Sequence, residues 1–347
     1  MSGNEAIARG VYEAGVRFAA AYPGTPSTEI MEEFAKYDGV YAEWAPNEKV
    51  AVEVAIGAAL GGAKALAVMK HVGVNVAADP IFTVSYTGIA GALVIISADD
   101  PSMHSSQNEQ DNRNYAKFAK IPMLEPADPQ EAKDYVSLAF KISEQFDTPV
   151  FLRTTTRVSH SKSVVTLSEP QIPEDKRTLA YNAEKYVMVP INARTRRVEV
   201  EKRQQALKEF VETFPENKME INDPEVGIIT AGMPYNYTKD VFPNFSYLKL
   251  GMVYPLPEKL IRDFASQVKK IYVVEELDPY LEEQIKAMGI KVIGKEIFPY
   301  TNEFDPGIIK NAINSDLQGA VSPYKENLAQ RPPNLCPGCP HRGLFYA

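Results

Sequence analysis

The sequence contains little cysteine, histidine or tryptophan, with 2, 4 and 1 of these residues in 347. Both cysteines, Cys336 and Cys339, belong to one C-x-x-C, which excludes a disulfide-stabilised scaffold and favours a reducing, cytoplasmic location. Basic residues are also in deficit, with 37 Lys and Arg against 45 Asp and Glu, so a dominant nucleic-acid-binding surface is not expected. No apolar run is long enough to span a bilayer, and the N-terminus lacks the basic-then-apolar order of a signal peptide. These absences indicate a globular protein without membrane or nucleic-acid partners.

Short apolar segments alternate with amphipathic ones through the first half of the chain. Nearly continuous apolar runs predict strands that are buried on both faces of a sheet, here at residues 16–23, 65–71, 92–99, 121–127 and 149–155. Helices are predicted between them at residues 3–15, 47–63, 76–88 and 129–146, the last with Asp128 as its N-cap. This alternation predicts an α/β fold with a doubly wound parallel sheet.

A second, smaller α/β unit is predicted after an interruption of this rhythm. Its strands are expected at residues 225–232, 246–255, 269–277 and 290–294, with helices at 257–268 and 279–289. The domain boundaries are therefore placed at 1–160, at 161–222 for a linker, and at 223–320 for the second domain. The charged helix at 193–214 is interpreted as a solvated strut within that linker. Residues 331–347 look like the start of a truncated third domain.

Polar and glycine-containing loops follow the first, second and third of the long apolar runs, at residues 22–28, 70–75 and 98–112. Ligands of parallel α/β sheets bind beyond the carboxyl ends of the strands, so these loops are expected to form one functional edge. The candidate residues are Gly24, Thr25, Lys70, His71, Gly73 and His104. Structural roles remain open for them: a helix cap for Thr25, a solvated strand end for Lys70 and His71, and a polar surface loop for His104.

The helix predicted after Asn47 begins with Glu48 and contains three glycines, Gly57, Gly61 and Gly62. Each interior glycine costs roughly 1 kcal/mol relative to alanine. Such a slender helix fits either a tightly packed core, with an acid favoured in its first turn, or the close approach of another backbone or a flat ligand. The residues alone do not decide between these interpretations.

A glutamate followed nine residues later by glycine, after a strand, resembles the pyrimidine-binding domain of thiamine diphosphate enzymes. The ordered set of "YPGTPSTEI", "NEKVAVEVAIGAALGGAKALAVMKHVGVNVAADPI", "HSSQNEQDNR" and "CPGCPHRG" is more specific. Together these segments resemble the 2-oxoacid:ferredoxin oxidoreductases, and within them the alpha subunits of the indolepyruvate type. The resemblance implies a pyrimidine-binding domain followed by a domain like the C-terminal domain of transketolase.

The resemblance also implies roles for the candidate residues. Glu48 would activate thiamine diphosphate by sharing a proton with its aminopyrimidine ring, and His71 would relay protons or bind the substrate carboxylate. Contacts to the cofactor are implied for Glu48, Gly24, Thr25, Lys70 and Gly73. Contacts to the substrate are implied for Thr25, His71 and His104.

The implied reaction is the oxidative decarboxylation of an aryl 2-oxoacid to an acyl-coenzyme A, with ferredoxin as electron acceptor. Other 2-oxoacids (pyruvate, 2-oxoglutarate or a branched acid) remain alternatives, as does a non-catalytic scaffold subunit with the same fold. The absence of arginine from residues 80–95, where pyruvate-specific relatives carry one, favours a larger substrate. The expected partners are a beta (gamma-type) subunit and a second copy of the complete enzyme.

The complete enzyme is also expected to need Mg²⁺ and [4Fe–4S] clusters. Cys336 and Cys339 are either two cluster ligands or a tight turn, because a lone C-x-x-C is half a metal site. A G-D-G…N segment for magnesium and diphosphate does not occur in these 347 residues. The chain by itself is therefore expected to be inactive and to bind thiamine diphosphate weakly.

Overall fold

The computed structural model describes residues 1–171 and 181–318, together with residues 343 and 346. Cys336, Cys339 and most of the predicted third segment lie outside these residues. The strands, in chain order, are β1 (Phe18–Ala21), β2 (Tyr41–Trp44), β3 (Lys64–Lys70), β4 (Ala92–Asp99), β5 (Met123–Leu124), β6 (Val150–Thr155), β7 (Lys218–Glu220), β8 (Val226–Thr230), β9 (Ser246–Lys249), β10 (Met252–Tyr254) and β11 (Lys270–Val274).

Helices connect these strands. Those preceding β7 are α1 (Gly3–Glu13), α2 (Thr28–Phe34), α3 (Glu48–Leu60), α4 (His71–Val76), α5 (Ala78–Thr87), α6 (Arg113–Ala119), α7 (Pro129–Phe146), α8 (Thr156–His160), α9 (Ala183–Tyr186) and α10 (Pro190–Val211). Those following it are α11 (Met233–Val241), α12 (Glu258–Ala265), α13 (Tyr280–Ala287) and α14 (Pro306–Gln318). In the described residues no helix combines the length and apolar character needed to cross a membrane.

The larger sheet has the order β10-β5-β6-β4-β3-β1-β2, and every pairing in it is parallel except that of β10 with β5. Alternate residues of its central strands enter two different cores. Leu93 and Ile95 of β4 join a cluster that includes residues of α3 and α5, whereas Val94 and Ile96 join a cluster that includes residues of α1 and α7. Period-two alternation between two covered faces defines a doubly wound sheet. The predicted fold class is confirmed.

The smaller sheet has the order β11-β8-β9-β7, with β7 antiparallel to β9 and the other pairings parallel. The two units share hydrophobic clusters. Phe264 and Leu281 of the second unit join Ala116 and Met123 of the first in one of them, and Met233 joins residues of α7 in another. The second unit therefore packs continuously against the first.

The strand predicted at 246–255 is wrong as a single element. β9 pairs with β8 in the smaller sheet, and after two residues β10 pairs with β5 in the larger one. Gly251 lies at this crossing, where a Cβ atom would come within 2.7 Å of the Tyr135 hydroxyl and of Glu216 Cβ. Only a residue without a side chain fits such a close approach, and the chain changes sheet there.

Three further expectations are corrected by the structure. Residues 290–294 form an isolated bridge, Tyr272 to Ile293, instead of a strand. The loop expected at 70–75 is mostly the short helix α4. The supposed strut, α10, is solvated on one face only, because Val200, Leu207 and Val211 are fully buried.

Candidate functional site

The candidate site lies at the carboxyl edge of the larger sheet. The chain runs from β1 outward to β2 and then returns to β3 on the other side of β1. This reversal of strand order is a topological switch point, beyond which ligands of open α/β sheets bind. The loop after β1 contains Gly24 and Thr25, helix α3 after β2 begins with Glu48, and β3 ends at Lys70 and is followed by His71.

The loop after β1 is fixed by its own polar side chains. The Thr28 hydroxyl accepts from the Gly24 amide, and the Ser27 hydroxyl donates to the Gly24 carbonyl, each at 2.9 Å. Asn4 of α1 donates to the Pro26 carbonyl from the other side. Thr25 is exposed and has no side-chain hydrogen bond among the described residues, so it does not cap α2. Its hydroxyl remains available at the edge of the sheet.

The end of β3, at Lys70, lies against the loop after β1. A Cβ atom on Gly24 would be 3.0 Å from Cδ of Lys70, so the lysine stem lies directly over this glycine. The Lys70 ammonium donates to the Ser105 carbonyl at 2.9 Å, in the loop after β4. Burial lowers the pKa of Lys70 from its usual value, with Asp100 opposing this effect. The three predicted segments thus meet at one edge, as the sequence indicated, although the second of them is mostly helix α4.

His71 is completely buried at the start of α4. Its Nε2 lies 3.1 Å from Oδ1 and 3.2 Å from the carbonyl oxygen of Asn108. Both partners are acceptors, so Nε2 carries the proton in the neutral ring and Nδ1 is an acceptor. Nδ1 is buried and has no hydrogen-bond partner among the described residues. Buried polar atoms of this kind are rare and call for an explanation such as a ligand.

Glu48 occupies the first position of α3, directly after Asn47, whose side chain accepts from the Val50 amide at 3.0 Å. Its side chain is 9% exposed and makes no hydrogen bond or ion pair with another described residue. It lies instead against the backbone of α4. A Cβ atom on Gly73 would come within 2.6 Å of Glu48 Cγ and 2.7 Å of Oε1. Gly73 is therefore required for the observed position of the carboxylate.

The prediction of three glycines within this helix is wrong, because α3 ends at Leu60, Gly61 is its C-cap and Gly62 has a φ of 87°. A Cβ atom on Gly57 would meet nothing within 4 Å, so this glycine faces open space instead of a packed neighbour. At the other end of the helix the close approach is made by Gly73 of α4 toward Glu48. The close-contact glycine of the site thus belongs to the neighbouring helix.

The loop after β4 connects the site to the second unit. The His104 ring lies 3.1 Å from the Glu303 carboxylate, which also binds Arg157. The Glu303 amide donates to the Ser102 hydroxyl, and Glu109 accepts from the amides of Ser102 and Asn302. His104 is thus tied to the second unit rather than to Lys70 or His71.

A buried ion network that the sequence analysis did not anticipate lies beneath this loop. Arg113 binds Asp111 and Glu275, and all three side chains are at most 5% exposed. Burial alone would lower the pKa of Arg113, but Asp111 and Glu275 raise it above its usual value. Burial raises the pKa of Glu275 to about 7, with Arg113 opposing the shift. This buried ion network is therefore a further electrostatic contact between the site edge and the second unit.

Arg153 of β6 forms a second buried centre. It binds Asp99 at 2.8 Å and Glu125 at 2.5 Å, across the carboxyl ends of three neighbouring strands. The sequence did contain a signal for this centre: Arg153 lies inside the apolar run "PVFLRTT", and a buried arginine requires buried carboxylates. The identity of the partner carboxylates could not be inferred from the sequence, because Asp99 and Glu125 are distant from Arg153 along the chain.

The fold and the site together define a doubly wound α/β domain in which an acid without a side-chain partner among the described residues lies against a glycine backbone. The chain belongs to the pyruvate flavodoxin/ferredoxin oxidoreductase family, whose thiamine diphosphate-binding model matches residues 9–222. The resemblance inferred from the sequence is confirmed by this match.

Curated relatives carry the same family relationship over nearly the whole chain. The chain is 45% identical to the indolepyruvate oxidoreductase subunit IorA of Archaeoglobus fulgidus, over 99% of this chain and 60% of the relative. It is 43% identical to the subunit of the same name from Methanothermobacter marburgensis, over 99% of this chain and 59% of the relative. The chain thus spans about three fifths of the length of these relatives.

A solved structure has the same fold. A chain of the 2-oxoglutarate:ferredoxin oxidoreductase from Magnetococcus marinus matches with a TM-score of 0.73 and 18% identity, over 92% of this chain and 65% of that chain. At this identity the match establishes the fold alone.

Thiamine diphosphate, which the family implies, fits the residues at this edge. Its pyrimidine ring offers ring nitrogens and an amino group, and the site offers an acid and an imidazole acceptor without protein partners in the described residues, Glu48 and His71. Because Gly73 has no side chain, it does not cover the Glu48 carboxylate. For metals, the described residues bring together no group of three or more His, Cys, Asp or Glu side chains able to hold an ion.

Proposed function

We propose that this chain supplies the pyrimidine-binding part of the active site of a 2-oxoacid:ferredoxin oxidoreductase of the indolepyruvate type. The observation that carries the proposal is the position of Glu48. Its carboxylate lies in the first turn of α3, against the Gly73 backbone and beside the topological switch point. Family membership and the relatives named indolepyruvate oxidoreductase subunits support the same function.

Thiamine diphosphate, when bound, supplies the electron sink that decarboxylation of a 2-oxoacid requires. Glu48 would hold and exchange a proton at a pyrimidine nitrogen, as a general acid and base placed within a mostly buried site. His71 Nδ1 would accept a hydrogen bond from the cofactor or the substrate. Gly24 and Gly73 would leave room for the Lys70 stem and the Glu48 carboxylate at the cofactor site, and the exposed Thr25 hydroxyl would face the substrate.

The proposed overall reaction consumes an aryl 2-oxoacid, coenzyme A and two oxidised ferredoxins. It yields acyl-coenzyme A, carbon dioxide, a proton and two reduced ferredoxins, so one electron pair leaves the substrate and is divided between two carriers. The solved relative contains 2-oxoglutarate, coenzyme A and succinyl-coenzyme A, which supports this reaction class. The complete enzyme would include a beta (gamma-type) subunit and a second copy.

The same enzyme would require Mg²⁺ for the diphosphate and [4Fe–4S] clusters for electron transfer. Cys336 and Cys339 stay candidate cluster ligands outside the described residues. His104, tied to Glu303, is positioned to contact substrate or a partner subunit only if the loop after β4 covers the site in the complete enzyme.

A second candidate function is a related oxidoreductase acting on 2-oxoglutarate. A 2-oxoglutarate synthase subunit of Methanocaldococcus jannaschii is 27% identical over 79% of this chain. Pyruvate and branched 2-oxoacids are further alternatives within the class. A scaffold subunit without activity is the alternative of another class.

The test is a substrate panel on the complete oxidoreductase with its partner subunit, loaded with thiamine diphosphate and Mg²⁺. Ferredoxin reduction would be followed with indolepyruvate, phenylpyruvate, pyruvate, 2-oxoglutarate and 2-oxoisovalerate. We expect kcat/KM to be highest for the two aryl acids. A preference for 2-oxoglutarate or pyruvate would overturn the assigned substrate but keep the reaction class. If the cofactor-loaded enzyme reduced ferredoxin with none of the five acids, the result would favour a scaffold subunit without activity.

A further inference from the structure

Lys70 differs from the other cations near the carboxyl edge of the larger sheet. Arg113, Arg153 and Arg157 each bind at least one carboxylate. Lys70 has no ion pair among the described residues, and its ammonium has one hydrogen-bond partner there, the Ser105 carbonyl. An ammonium has three donors. Two donors of Lys70 are therefore available to an incoming ligand.

The nearby acid, Asp100, forms no ion pair with Lys70 in the described residues, although its charge opposes the effect of burial on the pKa of the lysine. Asp100 accepts from the Ser105 amide and from the hydroxyls of Ser106 and Thr156, so its carboxylate is already held by its own loop and by the start of α8. Lys70 is half-buried, and burial lowers its pKa. A partly dehydrated cation that forms no ion pair within the described residues gains more from binding an anion than a fully hydrated one does.

The position of Lys70 indicates which anion it would bind. Its stem lies over Gly24, next to the exposed Thr25, and it precedes by three residues the glycine that supports Glu48. In the covalent structure of thiamine diphosphate, the pyrimidine ring and the diphosphate are at opposite ends. Lys70 shares the carboxyl edge of the larger sheet with Glu48, the acid assigned to the pyrimidine, so it is better placed for an anion brought by the substrate than for the diphosphate.

We propose that Lys70 binds the carboxylate of the 2-oxoacid substrate, with two of its ammonium protons and beside the Thr25 hydroxyl. This inference rests on the proposed function and names a specificity residue for it. A single charge-assisted contact of this kind would discriminate 2-oxoacids from neutral carbonyl compounds of the same shape.

The experiment compares an anionic and a neutral ligand of matched shape on the complete, cofactor-loaded oxidoreductase. Indole-3-propionate and its amide would be titrated calorimetrically into wild type, Lys70→Met and Lys70→Arg. A hydrogen bond to a charged group contributes about 1.5–3 kcal/mol. The affinity for indole-3-propionate is therefore expected to be about 10- to 100-fold lower in Lys70→Met than in wild type. The amide should bind unchanged, and Lys70→Arg should recover part of the loss. Lys36→Met, which removes an exposed ion pair with Glu33, is the matched control.

Two further measurements separate the possible failures. Thiamine diphosphate affinity, followed by fluorescence quenching, should be the same in Lys70→Met and wild type. A tenfold loss there, with unchanged binding of the acid, would assign Lys70 to the diphosphate and overturn the proposal. An equal loss for acid and amide would show a structural role and also overturn it. Wild-type turnover of 2-oxoacids tests the proposed function separately, because an active wild type with an unchanged acid-to-amide ratio in Lys70→Met contradicts only the role of Lys70.

Discussion

The guanidinium of Arg113 donates to the carboxylate of Glu275 across 2.8 Å, and both side chains are buried. Arg113 begins α6, after the loop that holds His71, whereas Glu275 directly follows β11 of the smaller sheet. The same guanidinium donates to the Glu276 carbonyl at 3.0 Å. This contact joins the edge that carries the site to the unit that follows it.

Removal of Arg113 should destabilise the protein strongly. In Arg113→Met the carboxylates of Asp111 and Glu275 stay buried without their cation, and broken buried pairs cost about 3–5 kcal/mol. Urea unfolding followed by circular dichroism would measure the loss. Arg197→Met removes an exposed pair with Glu201 and should cost at most about 1 kcal/mol. Equal losses of unfolding free energy in the two variants would show that the buried pair stabilises the protein no more than an exposed pair does.

The carboxyl group of Glu276 should make stability depend on pH. Burial raises its pKa from 4.5 to about 7. A raised pKa means that the native state binds the proton more tightly, so the stability contribution is complete below pH 4.5 and is lost as the pH rises through 7. Lys295, whose pKa burial lowers to about 8, changes stability in a separate window, between pH 8 and its unfolded value of 10.5.

Glu276→Gln tests this directly, since the amide oxygen keeps the bond from the Phe304 amide. Relative to wild type, the variant should gain stability between pH 5 and pH 8, by up to roughly 3 kcal/mol, because each pKa unit corresponds to about 1.4 kcal/mol. Urea midpoints measured at pH 5, 6, 7 and 8 would follow the gain. Parallel profiles for the two proteins would contradict the raised pKa.

Glu48→Gln should lower kcat of the complete oxidoreductase by about 10²–10⁴-fold, because the amide cannot exchange a proton with the pyrimidine ring. Stability should change little, since Glu48 has no ion pair or hydrogen bond within the described residues. Glu53→Gln, on the exposed face of the same helix, is the control and should retain activity. Wild-type turnover by Glu48→Gln would mean that another group activates the cofactor.

Gly73→Ala should impair the site without touching Glu48 itself. The added methyl would overlap the Glu48 side chain at 2.6 Å and displace its carboxylate. A misplacement of about 1 Å costs roughly 100-fold in rate, which ferredoxin-reduction assays would detect. Gly57→Ala meets open space in α3 and should instead stabilise the protein by about 0.5–1 kcal/mol. Full activity in Gly73→Ala would indicate that Glu48 can relocate freely.

Local signals in the sequence were sufficient for much of the fold. Helix α7 runs over the predicted residues 129–146, because Asp128 caps it and Pro129 begins it. The edge formed by Gly24, Lys70 and His71 follows from the rule that carboxyl ends of parallel strands meet. Period and capping act within a few residues, so they can be read from a single sequence.

Features that depend on distant contacts could not be read in this way. The crossing at Gly251 depends on Tyr135 and Glu216, and the ion pair of Arg113 depends on Glu275, more than 150 residues away. His71 begins a helix despite three β-branched valines in α4, because its carbonyl and ring are held by the loop after β4. Tertiary contacts therefore decided the positions that local propensity left open.

The crossing at Gly251 has an evolutionary consequence. The family model ends at residue 222, yet β10, which closes the edge at β5, comes from residues 252–254. A polypeptide cut at that boundary would leave β5 as a bare sheet edge, and bare edges recruit foreign strands. The larger sheet, whose unit contains Glu48, is thus completed by a strand from the second unit. A gene fission between the two would succeed only if the separated pieces reassembled, so the pair is expected to be inherited together.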